Sequence, residues 1–202
     1  EGKVKDELKD EIVKELCLLL ACYGRNELYG PVYRAQLKDE PRLIEKANKG
    51  KTRVFYATPF AFLIAQRMFL GPFYSLMIQF SACFFTAIGI DMHRQAHLLY
   101  SRMKDFGPNI FEGDYGGYDT SMPFDIGVGA KCIVLKLLEH LGYTPHQLLI
   151  ANGLLNDNLF PFVEMIGEMF CVPALQPSGK YATAEDNSIR NLLIMVYIWV
   201  KN

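Results

Sequence analysis

From Met68 to Ile90 the chain carries no charged residue. A stretch of that kind has two physical homes, a bilayer or the interior of a folded domain, because so much apolar surface is costly to leave in water. Gly71-Pro72, Gln79 and the hydroxyls of Ser75, Ser81 and Thr86 interrupt it, and an acidic residue, Asp91, follows it directly. Those features favour buried core and no transmembrane span. The composition supports the same expectation. Half of the 202 residues are hydrophobic and 21% are charged, which is enough apolar material for a sizeable core and excludes disorder as the main state. A net charge of −1 removes the signature of a polybasic nucleic-acid binder, so any nucleic-acid site must be local. Cys17, Cys22, Cys83, Cys132 and Cys171 form no C-x-x-C pair and read as buried free thiols.

Periodicity and turn residues divide the chain into elements. Val4, Leu8, Ile12, Leu16, Leu19, Leu20 and Tyr23 recur at three- and four-residue spacing, predicting an amphipathic helix that stops at Gly24. Val32 to Ala57 reads as extended segments around a basic loop. Thr58-Pro59 starts a helical region to about Ile78, broken at Gly71-Pro72, and Asp91 to Lys104 reads as another helix. Asn109 to Tyr115 reads as a short strand ending in the turn Gly116-Gly117. Pro123 then opens a helix to Gly142, so that strand, turn and helix form half of a βαβ unit. Thr144-Pro145 caps a further helix, Phe162 to Val172 reads as a hairpin, and the last helix runs from about Thr183 to Val200. The expected class is α+β or mixed α/β.

Three segments could carry chemistry. Asp114 and Asp119 bracket the two glycines at the end of the inferred strand, and carboxylates so placed suit a hard cation such as Mg²⁺, although Asp119 could equally cap a helix. Lys38 to Arg53 holds six basic residues against three acidic ones, which suits polyphosphate or a nucleic-acid backbone, or simply makes a solvated loop. On the last helix Thr183, Asn187 and Asn191 form one polar stripe amid apolar residues, preceded by Pro177-Ser178-Gly179; such a stripe must find partners, whether ligand or neighbouring backbone. A zinc hydrolase is excluded because Arg94 follows His93 where H-E-x-x-H needs Glu. Gly50-Lys51-Thr52 fails as a phosphate-binding loop because Glu45 stands where its first glycine belongs.

Taken together and in order, these segments resemble the RNA-dependent RNA polymerases of picorna-like positive-strand RNA viruses. Leu37-Lys38-Asp39-Glu40-Pro41-Arg42 with Gly50-Lys51-Thr52-Arg53 looks like the family's basic fingers motif F. Gly113-Asp114-Tyr115-Gly116-Gly117-Tyr118-Asp119 looks like motif A, and Pro177-Ser178-Gly179 with Thr183, Asn187, Ser188 and Asn191 looks like motif B. Arg67, Phe69, Gly71 and Gly89 also fit the pattern between F and A.

The resemblance implies a right-hand polymerase fold, with a fingers region over 1–108, a partial palm with an interleaved fingers segment over 109–202, and the thumb absent. It implies two-metal nucleotidyl transfer in viral genome replication, using Mg²⁺ with Mn²⁺ as an alternative. Asp114 would bind the catalytic ions, and Asp119 with Asn187 would read the ribose hydroxyls. Lys38, Lys51 and Arg53 would hold triphosphate, while Ser178, Gly179 and Thr183 would seat nucleotide and template. The implied partners are RNA template and primer, nucleoside triphosphates and other viral replication proteins, in the host cytoplasm at membrane-associated replication complexes. Ala182 departs from the glycine many relatives place before the threonine, and no Gly-Asp-Asp follows motif B, so an incomplete, inactive fragment is expected. The rival readings are a reverse transcriptase, disfavoured by the Asp119 and Asn187 combination, and a non-catalytic helical binding or membrane-associated protein with a basic loop.

Overall fold

The computed structural model describes residues 2–110 and 112–201. It opens with helix α1 (Gly2–Gly24), then β1 (Val32–Leu37), the short α2 (Ile44–Asn48), β2 (Val54–Ala57) and α3 (Phe60–Gln79). After a 3₁₀ turn at Ser81–Phe84 come α4 (Met92–Lys104), the one-turn α5 (Tyr118–Ser121), α6 (Phe124–His140) and α7 (Pro145–Leu159). The chain finishes with β3 (Phe162–Met165), β4 (Glu168–Cys171) and α8 (Thr183–Lys201). The four strands make one sheet of order β2-β1-β3-β4. Its outer pairs are antiparallel, and β1 runs parallel to β3 with Tyr33 opposite Val163. A parallel pair between residues so far apart in sequence needs a crossover, and α3, α6 and α7 provide it.

The core lies where α1, α3, α6 and α7 meet under the sheet. Leu19 and Tyr23 of α1, Phe62, Ala65, Phe73 and Met77 of α3, Val134 and Leu138 of α6, and Ala151 and Leu154 of α7 are all fully buried or nearly so. Thr144 caps α7 in a capping box with Gln147, and Asp91 caps α4 by accepting from the backbone N–H groups of His93 and Arg94. Two buried polar clusters fix how the layers register. Tyr33 and Gln66 both donate to Asn158 Oδ1, at 2.8 and 3.0 Å, tying β1 and α3 to α7. Tyr23 donates to Asp157 Oδ2 at 2.5 Å, and the N–H groups of Tyr29 and Gly30 reach the same oxygen, so one carboxylate joins α1, α7 and the turn before β1.

Several expectations are corrected. Residues 109–110 and 112–115 form no strand, with Phe111 outside the described residues, so the half βαβ unit is absent. A strand exists only alongside another, and no strand among the described residues lies beside this segment. Pro72 does not end α3: one lost hydrogen bond is outweighed because Leu70, Gly71, Phe73, Tyr74 and Met77 are all packed in the interior. The uncharged stretch therefore divides, its first part lying in the core within α3 and residues 81–90 lying nearer the surface. Helix α3 is long and apolar enough to cross a membrane by length and composition, but half of it is buried inside the protein, as in a core helix. The cysteines are free but not buried: Cys22 is partly buried and the other four are exposed. Cys17 lies on the outward side of α1, and Cys171 lies on β4, an edge strand exposed along its whole length.

Helix α7 approaches α1 so closely that a methyl group on Gly153 would lie 2.3 Å from the Tyr23 ring. The ring is locked by its bond to Asp157, so it cannot swing aside without breaking that bond. Gly153→Ala is expected to lower the urea midpoint of the chain, costing about 1–3 kcal/mol with little change in slope.

Candidate functional site

Strands β1 and β2 carry the basic loop between them. The Lys38 N–H donates to the Arg53 carbonyl at 2.9 Å, which closes the loop and sets these two cations side by side at its base. Lys51 and Arg53 are exposed and Lys38 is partly buried. Glu40 lies among them, bonded to Arg42 at 2.6 Å and 3.6 Å from Arg53, and the Arg42 guanidinium holds its carboxyl below the ordinary range. The carboxylate thus organises the two arginines, and Lys38 and Lys51 keep their charge free of any ion pair among the described residues.

The segment before α8 lies against the other edge of β2. The Tyr56 N–H donates to the Ser178 carbonyl at 2.9 Å. Gly179 follows at φ +116°, where any Cβ would lie 2.8 Å from the Tyr56 carbonyl oxygen, so only glycine allows this contact. On its other side Ser178 Oγ donates to Asp119 Oδ2 at 2.5 Å, and the Gln176 N–H donates to the Asp119 carbonyl at 3.0 Å. Three segments far apart in sequence therefore meet at one serine. Ala182 sits at φ +56°, a left-handed conformation that glycine would adopt with less strain.

The polar stripe of α8 is engaged along its length. Thr183 Oγ1 donates to the Lys180 carbonyl, Asn187 Oδ1 accepts from Gln176 Nε2 at 2.7 Å, and Asn191 Oδ1 accepts from the Tyr115 hydroxyl at 2.8 Å. Tyr118 donates to the Asn187 carbonyl at 3.0 Å, and burial pushes its hydroxyl up to about 12, so it remains a donor. Tyr115 and Tyr118 pack edge to face and lay the glycine-rich turn across α8. Gln176 links Asp119 to Asn187, its backbone N–H donating to the Asp119 carbonyl and its Nε2 to Asn187 Oδ1.

Asp114 is exposed and makes no hydrogen bond or ion pair among the described residues. No cluster of three or more His, Cys, Asp or Glu able to hold a metal occurs among them either. Mg²⁺ asks for only one or two protein carboxylates and fills its shell with water and phosphate, so the two free oxygens of Asp114 fit that ion.

Beneath this surface lies an ionic cluster that sequence reasoning missed. Asp186 Oδ2 accepts from Lys180 Nζ at 2.8 Å, Gln176 Nε2 at 2.9 Å and Arg190 Nε at 3.1 Å, and all four residues are buried. Burial alone would push the Asp186 carboxyl up, but Lys180 and Arg190 together draw it below its usual range. Burial also pushes the Lys180 ammonium down. With one carboxylate facing two cations, the ionic form is the state at neutral pH. The four-residue spacing of Asp186 and Arg190 on a predicted helix was visible as an ion pair, but such a pair is normally solvated. Nothing local marks Gln176, Lys180 or Tyr56, and Tyr115 and Tyr118 stand within the motif A stretch without a role assigned to them.

The family described as viral RNA-dependent RNA polymerase matches this chain over residues 4–202. Among curated relatives, the replicase polyprotein of Drosophila C virus is 28% identical over 93% of this chain and 11% of its own length. The genome polyprotein of human hepatitis A virus genotype IA is 32% identical over 81% of this chain and 8% of its own length. A solved Sicinivirus RNA-dependent RNA polymerase superposes with a TM-score of 0.72 at 21% identity, covering 90% of this chain and 36% of that one. The chain therefore spans only part of each, and it shares the polymerase's mixed helix-and-sheet fold over that part.

Because the Asp186 carboxyl is held down in the folded state, it contributes stability that is present above the unfolded value near 3.8 and lost as pH falls through the folded one. Lys180→Met should weaken that acid limb. It should also cost on the order of 2 kcal/mol at neutral pH, less than the roughly 3–5 kcal/mol of an uncompensated buried charge because Arg190 remains. Urea midpoints measured across the acid range check both effects.

Proposed function

Since this chain belongs to the viral RNA-dependent RNA polymerase family, we propose that it forms the part of such an enzyme that receives the incoming nucleoside triphosphate during template-directed RNA synthesis. The observation that carries this reading is the junction at Ser178, where the basic loop's strand, the Asp119 turn and the start of α8 are joined by hydrogen bonds of 2.9 and 2.5 Å. Convergence at one point is what a nucleotide site requires of three segments that separately suit phosphate, metal and sugar.

In this reading Lys38, Lys51 and Arg53 hold the triphosphate by charge, and Arg53 is kept in place by Glu40. Asp119 and Asn187 face the ribose, and Ser178, Gly179 and Thr183 seat nucleotide and template. Asp114 would hold Mg²⁺, or Mn²⁺ in its place. When bound, the metal supplies charge stabilisation for attack of a primer 3′-hydroxyl on the α-phosphate with pyrophosphate leaving. We assign fingers to 1–108 and partial palm with an interleaved fingers segment to 109–202. RNA template and primer and other replication proteins are the proposed partners, at membrane-associated complexes in the host cytoplasm. The 202-residue chain alone should be inactive, since a lone exposed aspartate does not hold two ions.

The test is single-nucleotide incorporation by a polymerase carrying this segment. Asp114→Asn should reduce turnover by at least about a thousandfold while primed-template affinity changes little. Retention of near-normal turnover would refute the metal assignment. Arg53→Ala should raise KM for nucleotide with a smaller change in kcat. Asn187→Ala should lower the preference for ribonucleotides over deoxynucleotides by about tenfold, mainly by harming the ribonucleotide.

A further inference from the structure

Among the residues around the site, Gln176 has the most unusual arrangement of partners. Its side chain is fully buried, and its Nε2 directs one hydrogen to Asp186 Oδ2 at 2.9 Å and the other to Asn187 Oδ1 at 2.7 Å. Its backbone N–H is committed to the Asp119 carbonyl at 3.0 Å. Its Oε1 has no partner among the described residues, although buried acceptors are nearly always satisfied. The side chain thus leaves one end unpaired and uses both hydrogens of the other.

The reason lies in what each group can do. An ionised carboxylate only accepts, so Asp186, fixed by Lys180 and Arg190, admits only the NH₂ end of Gln176. That end only donates, so Asn187 must turn its oxygen inward to meet it. The NH₂ of Asn187 is then left on the opposite side of its amide. A half-buried asparagine otherwise has two orientations of nearly equal energy, one presenting an acceptor and one a donor. The relay from Asp186 through Gln176 removes the choice.

We propose that Gln176 is a positioning residue for sugar selection, fixing the Asn187 amide so that its NH₂ faces the ribose. The inference rests on the reading of Asn187 given above and adds the residue that orients it. With Asn187 as donor and the Asp119 carboxylate as acceptor, a 2′-hydroxyl finds partners for both its lone pair and its proton. A deoxynucleotide leaves the donor unpaired. Ser178, which also bonds Asp119, is held at the same junction, so the donor and acceptor are set against one common backbone.

The experiment uses a polymerase carrying this segment and measures kcat/KM for a ribonucleoside triphosphate and its 2′-deoxy counterpart on one primed template. Gln176→Met keeps the volume and removes both donors. It is expected to lower the ribo-to-deoxy ratio about three- to tenfold, through a higher KM for the ribonucleotide, with the deoxynucleotide losing less. In an Asn187→Ala background the same change should leave the ratio unaltered, because Gln176 acts through Asn187. Equal losses for both nucleotides with an unchanged ratio would overturn the inference, leaving the nucleotide-site reading in place if Asn187→Ala alone lowers the ratio. If Asn187→Ala leaves it unchanged, both fall. Should Gln176→Met fail to fold, Asn187→Asp decides. That variant can keep the Gln176 bond but has no donor to offer, so a ratio as low as that of Asn187→Ala supports the inference and a wild-type ratio overturns it.

Discussion

A carboxylate taken out of water must be neutralised, and the way Asp186 is neutralised shapes the site around it. Its Oδ2 draws Lys180 from the loop before α8, Arg190 from the next turn of the helix and Gln176 from the far side of the loop. Those contacts curl residues 176–182 back onto the start of α8. The curl places Ser178 at the surface between Tyr56 and Asp119. The bonds of Ser178 to Tyr56 and Asp119 and the packing of Tyr181 on Tyr74 hold the same segment from outside, with Ala182 in a strained left-handed conformation.

The surroundings are fitted to the cluster. Arg190 is almost fully buried, and a methyl group on Gly127 of α6 would come within 3.2 Å of its Nη1, so a small residue there makes room for the guanidinium. Tyr181 packs edge to face with Tyr74 of α3, and Arg67 lies 5.7 Å from its ring centre. The Tyr181 hydroxyl would lie 3.3 Å from a methyl on Gly71. Helix α3 therefore supports the loop from beneath, which gives Arg67 and Gly71 a structural reason to appear in the motif pattern. The same packing explains why Pro72 is tolerated within the helix.

The parts of the fold that were legible in the sequence are those governed by local periodicity and by end signals. Helix α7 begins at its Thr144-Pro145 cap as expected, α4 begins after Asp91, and the hairpin of β3 and β4 lies within the expected Phe162 to Val172. The strand expected at 109–115 was misjudged for the opposite reason. Strand formation depends on a neighbour, and a single segment cannot reveal whether a neighbour is present. The cysteines were misjudged likewise, since an apolar run shows composition but not which side of an edge strand or helix faces water.

The candidate site divides along the same line. Residue types and spacing singled out the basic loop, the turn between Asp114 and Asp119 and the polar stripe of the last helix as candidates, and the resemblance to viral polymerases narrowed them to Lys38, Lys51, Arg53, Asp114, Asp119, Ser178, Gly179, Thr183 and Asn187. Their order along the chain sufficed to identify the polymerase pattern. The sequence could not show that Gln176 links Asp119 to Asn187, or that an ion pair spaced for a solvated helix face is instead buried. Those outcomes depend on which surfaces come together when α3, α6 and α8 pack, and burial decides whether a charge is solvated or must be met by another. Chemistry of single residues was set by the sequence; the partners that orient them were set by the packing of distant segments.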